Sequence, residues 1–269
     1  MTRVVVVTGA AHGIGRAVAR RLVRCGDVVL AVDQDEAGLT RLVDDARSDG
    51  VVEPLAADLL LVPPAELAER LAALARSRGT GPVTALVHAA GQDDGSRWDQ
   101  VDSQEFASLM RLHAEVPLLL TQQLDARGAL RSVVFVGSLH AERTWGRPAY
   151  PASKAASAAV MRETAWALAP RGVRVNAVVP GWIEVRDDPA DTPRTRARRE
   201  AVPLGRAGSP QDVAEAVLFL LDDDRAAYVT GSELHVDGGL ALDSWAPPLL
   251  APATGRRDRI RARLRGRPS

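Results

Sequence analysis

Short runs of apolar, mostly β-branched residues alternate along this chain with longer stretches whose apolar positions recur at helical spacing. The short runs fall at 4–7, 28–32, 51–55, 85–87, 133–136, 173–178 and 234–236, and helical patterns occupy 14–25, 66–76, 103–124, 150–169 and 210–221. Near-continuous apolar strands separated by helices suit a parallel sheet, because each strand is then buried on both faces. The pattern predicts an α/β fold: one doubly wound parallel sheet of seven strands with helices on both sides. No repeat or linker interrupts it before about residue 245, so 1–245 is expected to be a single domain. Beyond it, Pro247, Pro248 and Pro252 lead into 255–269, where seven arginines face one aspartate. Residues 246–269 are therefore expected to be a mobile basic tail.

The first strand runs into Thr8-Gly9-Ala10-Ala11-His12-Gly13-Ile14-Gly15, a Gly-x-x-x-Gly-x-Gly spacing that opens a helix. Glycines there let the backbone turn tightly and approach a pyrophosphate, while the helix start supplies N–H donors and the positive end of its dipole. Asp33 closes the second strand eighteen residues after Gly15. A carboxylate at that place accepts both ribose hydroxyls of an adenosine and repels a 2′-phosphate, which favours NAD over NADP.

Composition narrows the remaining classes. The formal net charge is zero and the pI is near 7.0, which leaves no electrostatic footprint for nucleic acid or an acidic membrane. Cys25 is the one cysteine, so no internal disulfide forms. The apolar run at 4–7 is too short for a signal peptide or a membrane span, and a soluble cytoplasmic protein is expected. Among 34 basic residues Lys154 is the only lysine, and it follows Tyr150, one of two tyrosines, by four positions. On a helix those two positions share a face, so the ammonium favours the phenolate and brings the phenol's pKa down from about 10 toward a value suited to acid/base work. Arginine would bring a broad planar fork where lysine brings a compact cation.

With these residues in place, the chain resembles the short-chain dehydrogenase/reductase family over residues 3 to about 240. Asp58-Leu59 looks like the family's adenine-contacting pair, and His88-Ala89-Ala90-Gly91 stands where the family usually has Asn-Asn-Ala-Gly. Ser138, Tyr150 and Lys154 look like the catalytic serine, tyrosine and lysine, and Pro180-Gly181 and Val236-Asp237-Gly238-Gly239 complete the pattern. The resemblance implies a Rossmann-type fold and an NAD cofactor held by Gly9, Ala11, His12, Gly13, Ile14, Gly15, Asp33, Asp58, Leu59, Ala89, Ala90, Gly91, Tyr150, Lys154, Pro180, Gly181 and Ile183. It implies that Tyr150 exchanges the proton, Lys154 tunes it and holds the nicotinamide ribose, and Ser138 holds the substrate oxygen. It also implies a homotetramer, with a dimer as second choice, built across 103–124 and 150–169, where Ala155, Ala156, Ala158, Ala159 and Ala165 permit close approach.

Three positions depart from the family pattern: His88, Val185 in place of a threonine, and His113 in place of the catalytic asparagine. If His113 holds a water that passes protons to Lys154, its titration near the ordinary imidazole value of about 6.5 enters the pH profile. The loop 139–149 offers His140, Glu142, Arg143, Trp145 and Arg147, and in the lid 182–205 five arginines meet five acids. That balance describes a solvated lid. The polar loop favours an oxygenated substrate, a polyol, sugar derivative or natural-product intermediate bearing a secondary alcohol or ketone. The alternative is a cofactor-binding regulatory or scaffolding relative with little turnover.

Overall fold

The computed structural model describes residues 2–92, 96–144, 146–185 and 192–242. Among these, seven strands form one sheet: β1 (Val4–Thr8), β2 (Val28–Asp33), β3 (Val52–Ala56), β4 (Ala85–His88), β5 (Ser132–Val136), β6 (Arg174–Pro180) and β7 (Glu233–Val236). Their order is β3-β2-β1-β4-β5-β6-β7, and every neighbouring pair is parallel. The helices are α1 (Gly13–Arg24), α2 (Glu36–Ala46), α3 (Pro64–Arg78), α4 (Ser103–Met110), α5 (Val116–Asp125), α6 (Ala149–Leu168), α7 (Pro193–Ala201) and α8 (Pro210–Leu221). The fold is the single-domain, doubly wound α/β arrangement that the alternation predicts.

Strand alternation divides the core into two layers. Val4 and Val6 of β1 join Leu71 of α3, Leu120 of α5 and Met161 of α6 on one face. Val5 and Val7 join Leu22 of α1, Leu42 of α2 and Val217 of α8 on the other. Each such side chain withdrawn from water contributes about 1.5–3 kcal/mol, which is why valine runs serve as strands here.

Three features depart from the apolar pattern. Helix α2 carries a narrow apolar stripe among charged residues and is started by Asp35, whose carboxylate accepts the Gly38 N–H. Helix α7 has no such stripe and is started by a reciprocal cap between Thr192 and Thr195. The helix expected over 103–124 is interrupted by a π-helical turn, Arg111–Glu115, between α4 and α5. Pro117 lacks the N–H that would bond the His113 carbonyl, and the Val116 N–H reaches back five residues to Arg111.

Because β1 is flanked by β2 and β4, the chain leaves the sheet in opposite directions at the β1/β4 boundary, and a crevice opens beyond the strand ends. Among the described residues no helix is long and apolar enough to cross a membrane, and no cluster of side chains could hold a metal ion. The tail 246–269 lies outside the described residues.

Candidate active site

The crevice begins where β1 turns through Gly9, at φ 70°. A Cβ at Gly9 would lie 2.6 Å from the Cα of Ala90, and one at Gly15 would collide with the Gly9 carbonyl oxygen. Only glycine lets this turn pack against the end of β4 and against its own helix. Ala11, His12, Gly13 and Ile14 complete the turn, and His12, extended at the start of α1, provides no side-chain cap. The first-turn N–H groups of α1 thus present the positive helix end to an anion.

Next to this turn is a cleft of about 320 Å³, lined among others by Gly9, Asp33, Asp58, Leu59, Ala90 and Gly91. The Asp33 carboxylate accepts the Ala11 and Asp35 N–H groups, each at 3.0 Å, which holds it at the cleft wall. Asp58 accepts the Leu60 N–H at 2.8 Å, and the Ala90 N–H, one residue after Ala89, donates to the Thr8 hydroxyl at 3.3 Å. A glycine cradle, an open helix start and an acid at the far wall fit a dinucleotide. Pro180 ends β6, the Gly181 N–H bonds to Val236, and Ile183 bridges to Gly208. Val185 lies against Gly13, 3.5 Å from where its Cβ would be.

Ser138 follows β5 and starts a short 3-10 turn, Leu139–Ala141. Tyr150 stands in the first turn of α6 with Lys154 one turn later. The lysine ammonium is buried, 5.8 Å from the phenol ring centroid, and donates to the Val136 carbonyl at 3.0 Å. Burial draws its pKa down to about 8. Ser138 and Lys154 share the lining of a small internal cavity, and Gly91 lies against both Lys154 and His113. The structure thus brings together the serine, the tyrosine, the lysine and the glycine end of the cleft.

His113 sits on the π-helical turn, 2% exposed, with its ring edge-on to Tyr150 at 5.5 Å between centroids. The Ser153 hydroxyl donates to the Tyr150 carbonyl at 2.8 Å, so the His113 Nδ1, 2.8 Å from the Ser153 Oγ, donates to that Oγ. Nε2 accepts the Gln92 N–H at 3.3 Å. One donating and one accepting nitrogen describe a neutral ring doing the work of an amide. Burial, and then the charge of Lys154, push its pKa down to about 2. The acidic limb expected from an imidazole near 6.5 is therefore corrected: this ring stays neutral across the assay range. His88 is buried as well; Nε2 meets the Thr121 hydroxyl at 3.0 Å, and burial takes its pKa to about 3.

Of the loop residues, His140, Glu142, Arg143 and Arg147 line a cavity of about 550 Å³ beside the start of α6. Glu142 bonds to His235 at 2.9 Å and Arg143 to the Ala241 carbonyl, so both also tie the loop to the β7 end of the fold. In the lid Arg199 pairs with Glu184 at 3.0 Å. Trp145, Arg186, Asp187, Asp188 and Asp191 lie outside the described residues, as do the side chains of Arg194 and Arg198. Sequence reasoning did not find Ser153 and the Gln92 N–H as the partners of His113. It also missed the contact between His140 and Ser138, for which the Ser-x-His spacing was the available signal.

A parallel sheet with a dinucleotide cleft at its crossover point and a buried lysine beside a tyrosine defines an α/β oxidoreductase that uses a nicotinamide dinucleotide. The family described as enoyl-(acyl carrier protein) reductase matches residues 9–241. The 3-oxoacyl-[acyl-carrier-protein] reductase FabG of Escherichia coli is 32% identical over 256 residues, covering 89% of this chain and 98% of its own. Among solved structures, the promiscuous reductase LugOII, which catalyses keto-reduction at C1 during lugdunomycin biosynthesis, superposes with a TM-score of 0.82 at 27% identity, covering 89% and 98% of the two chains. A blue fluorescent protein from a metagenomic library, in complex with NADPH, gives 0.79 at 30% identity, with the same coverage. The chain belongs to the short-chain dehydrogenase/reductase family.

Proposed function

We propose that this protein is a cytoplasmic NAD-dependent dehydrogenase or ketoreductase acting on a secondary alcohol or ketone of an oxygenated small molecule. The observation that carries the reading is the burial of the chain's only lysine with its ammonium 5.8 Å from the Tyr150 ring. A buried cation is costly unless its charge is used, and here it favours the phenolate. In reduction Tyr150 gives its hydroxyl proton to the substrate oxygen, and in oxidation it takes that proton back. Ser138 donates its hydroxyl to the same oxygen and orients it. Neutral His113 holds the Gln92 backbone and the first turn of α6 in place around the phenol. The cofactor, when bound, supplies the hydride chemistry.

The NAD preference rests on Asp33, whose carboxylate faces the cleft that would hold the adenosine. His12, the nearby candidate for a 2′-phosphate, is taken by Asp35 at 2.6 Å. Asp33→Ala is expected to weaken NAD binding about tenfold or more, the size of one charge-assisted hydrogen bond, and to narrow the gap to NADP. Turnover of a panel of secondary alcohols with NAD and NADP measures both. Faster wild-type turnover with NADP at equal concentration would sink the assignment, and no turnover with either would favour a binding or scaffolding relative.

The reading includes a homotetramer, with a dimer second. Helix α6 exposes Ala155, Ala159 and Trp166, the last 84% exposed, and α4 exposes Phe106. Ala165, expected on that face, is instead 3% exposed and packs into the core. Light scattering at micromolar concentration should give about four times the mass of the chain, 28.6 kDa; a monomer would exclude the assembly.

A further inference from the structure

His140 follows Ser138 by two residues in the Leu139–Ala141 turn, and the turn folds the two side chains onto each other. The Ser138 Oγ accepts the His140 backbone N–H at 3.2 Å and lies 3.1 Å from the His140 Nδ1. The imidazole is also edge-on to Tyr150, 5.3 Å between centroids, and lines the 550 Å³ cavity. It therefore stands between the serine, the tyrosine and the space open to a substrate.

A serine hydroxyl has one hydrogen and two lone pairs. Here the backbone N–H occupies one lone pair. When the ring is neutral with its proton on Nε2, Nδ1 accepts, and the only hydroxyl hydrogen of Ser138 points at the imidazole. A substrate oxygen then finds no donor on Ser138 and keeps only the one on Tyr150. When the ring is an imidazolium, Nδ1–H fills the second lone pair of Oγ and turns the hydroxyl hydrogen outward. We infer that His140 is a positioning residue: the proton it carries sets whether Ser138 donates to the substrate oxygen. The inference rests on the proposed reaction and adds to it a control on the serine. Among the described residues, the charged and titratable groups around the ring include Tyr150 on α6 and Glu142, Arg143 and Arg147 on its own loop, with Lys154 next to the phenol. His235 of β7 holds Glu142, and His113 lies beyond the phenol.

The test compares wild type with His140→Asn, whose amide reaches Oγ but does not titrate. Reduction of 2,3-butanedione by NADH is followed from pH 5.5 to 8. Wild-type kcat should rise toward acid by about two- to tenfold relative to the variant, the worth of one hydrogen bond, while KM for NADH stays equal in the two proteins. Profiles of equal slope would overturn the inference. A second measurement needs no turnover. In histidine-labelled protein, the 15N resonance lost in His140→Asn identifies His140, and Ser138→Ala should move both its Nδ1 shift and its titration midpoint. An unmoved resonance would overturn the inference on its own. Wild-type protein that reduces no ketone would overturn the proposed function instead, and the resonance measurement would still decide the role of His140.

Discussion

Tyr150→Phe is expected to lose about 10²–10⁴ of kcat, the usual contribution of a positioned acid/base group, while binding the cofactor almost as well as wild type. The substitution removes one hydroxyl and no carbon, so the ring keeps its edge contacts with His113 and His140. Lys154 keeps its bond to the Val136 carbonyl, and the glycine turn and Asp33 are untouched. What disappears is the group that exchanges a proton with the substrate oxygen. Turnover with a secondary alcohol, set beside fluorescence titration with NADH, separates the two effects. A variant as active as wild type would remove the proposed mechanism, because no other described side chain next to Ser138 and Lys154 offers a phenol.

Lys154→Met is expected to act in opposite directions on rate and on stability. Turnover should fall at least a hundredfold, since the cation that lowers the phenol's pKa is gone. Stability has the other sign. The folded-state pKa of about 8 lies below the ordinary lysine value of 10.5, so between those pH values the unfolded chain binds more protons and wild-type stability rises with pH. The penalty is fully present below pH 8 and amounts to about 3 kcal/mol at 1.36 kcal/mol per pH unit. Methionine fills much the same volume without the charge, though it leaves the Val136 carbonyl without its donor, at a cost of about 1–3 kcal/mol. Urea denaturation of both proteins at pH 7 and pH 10.5 reads the difference. The stability of the variant relative to wild type should drop by about 2–3 kcal/mol between them. A constant difference would mean that Lys154 titrates as it does in the unfolded chain.

The sheet was legible because strands buried on both faces must be apolar throughout, and Val4, Val5, Val6 and Val7 satisfy both layers at once. Helices α2 and α7 were not, because hydrogen-bonded caps at Asp35 and Thr192 start them and little apolar surface marks them. The lysine and tyrosine stood out through their scarcity. The state of His113 could not be read the same way: sequence supplies an imidazole, but only the packed fold supplies the burial, the neighbouring ammonium and the two hydrogen-bond partners that keep it neutral. Ala165 makes the same point for packing, since a small residue on a helix has no address until the helix is docked.

The π-helical turn at Arg111–Glu115 also works as a phase element in the long connection between α4 and α5. Each residue advances a helix by about 100°, and a wider turn accommodates one extra residue without advancing the rest of the helix by that full step. Shortening the segment by one residue would remove the wide turn and leave α4 and α5 in nearly the same phase, with Pro117 still lacking its bond to the preceding turn. Leu109, buried on one side, and Leu120 and Leu124, in the core on the other, would keep their faces, and the residue displaced would be the one the wide turn carries. His113 sits at the pivot. Its approach to Tyr150 is thus set by chain length as much as by side-chain chemistry, and an insertion or deletion here would mis-set the site even with every one of its residues retained.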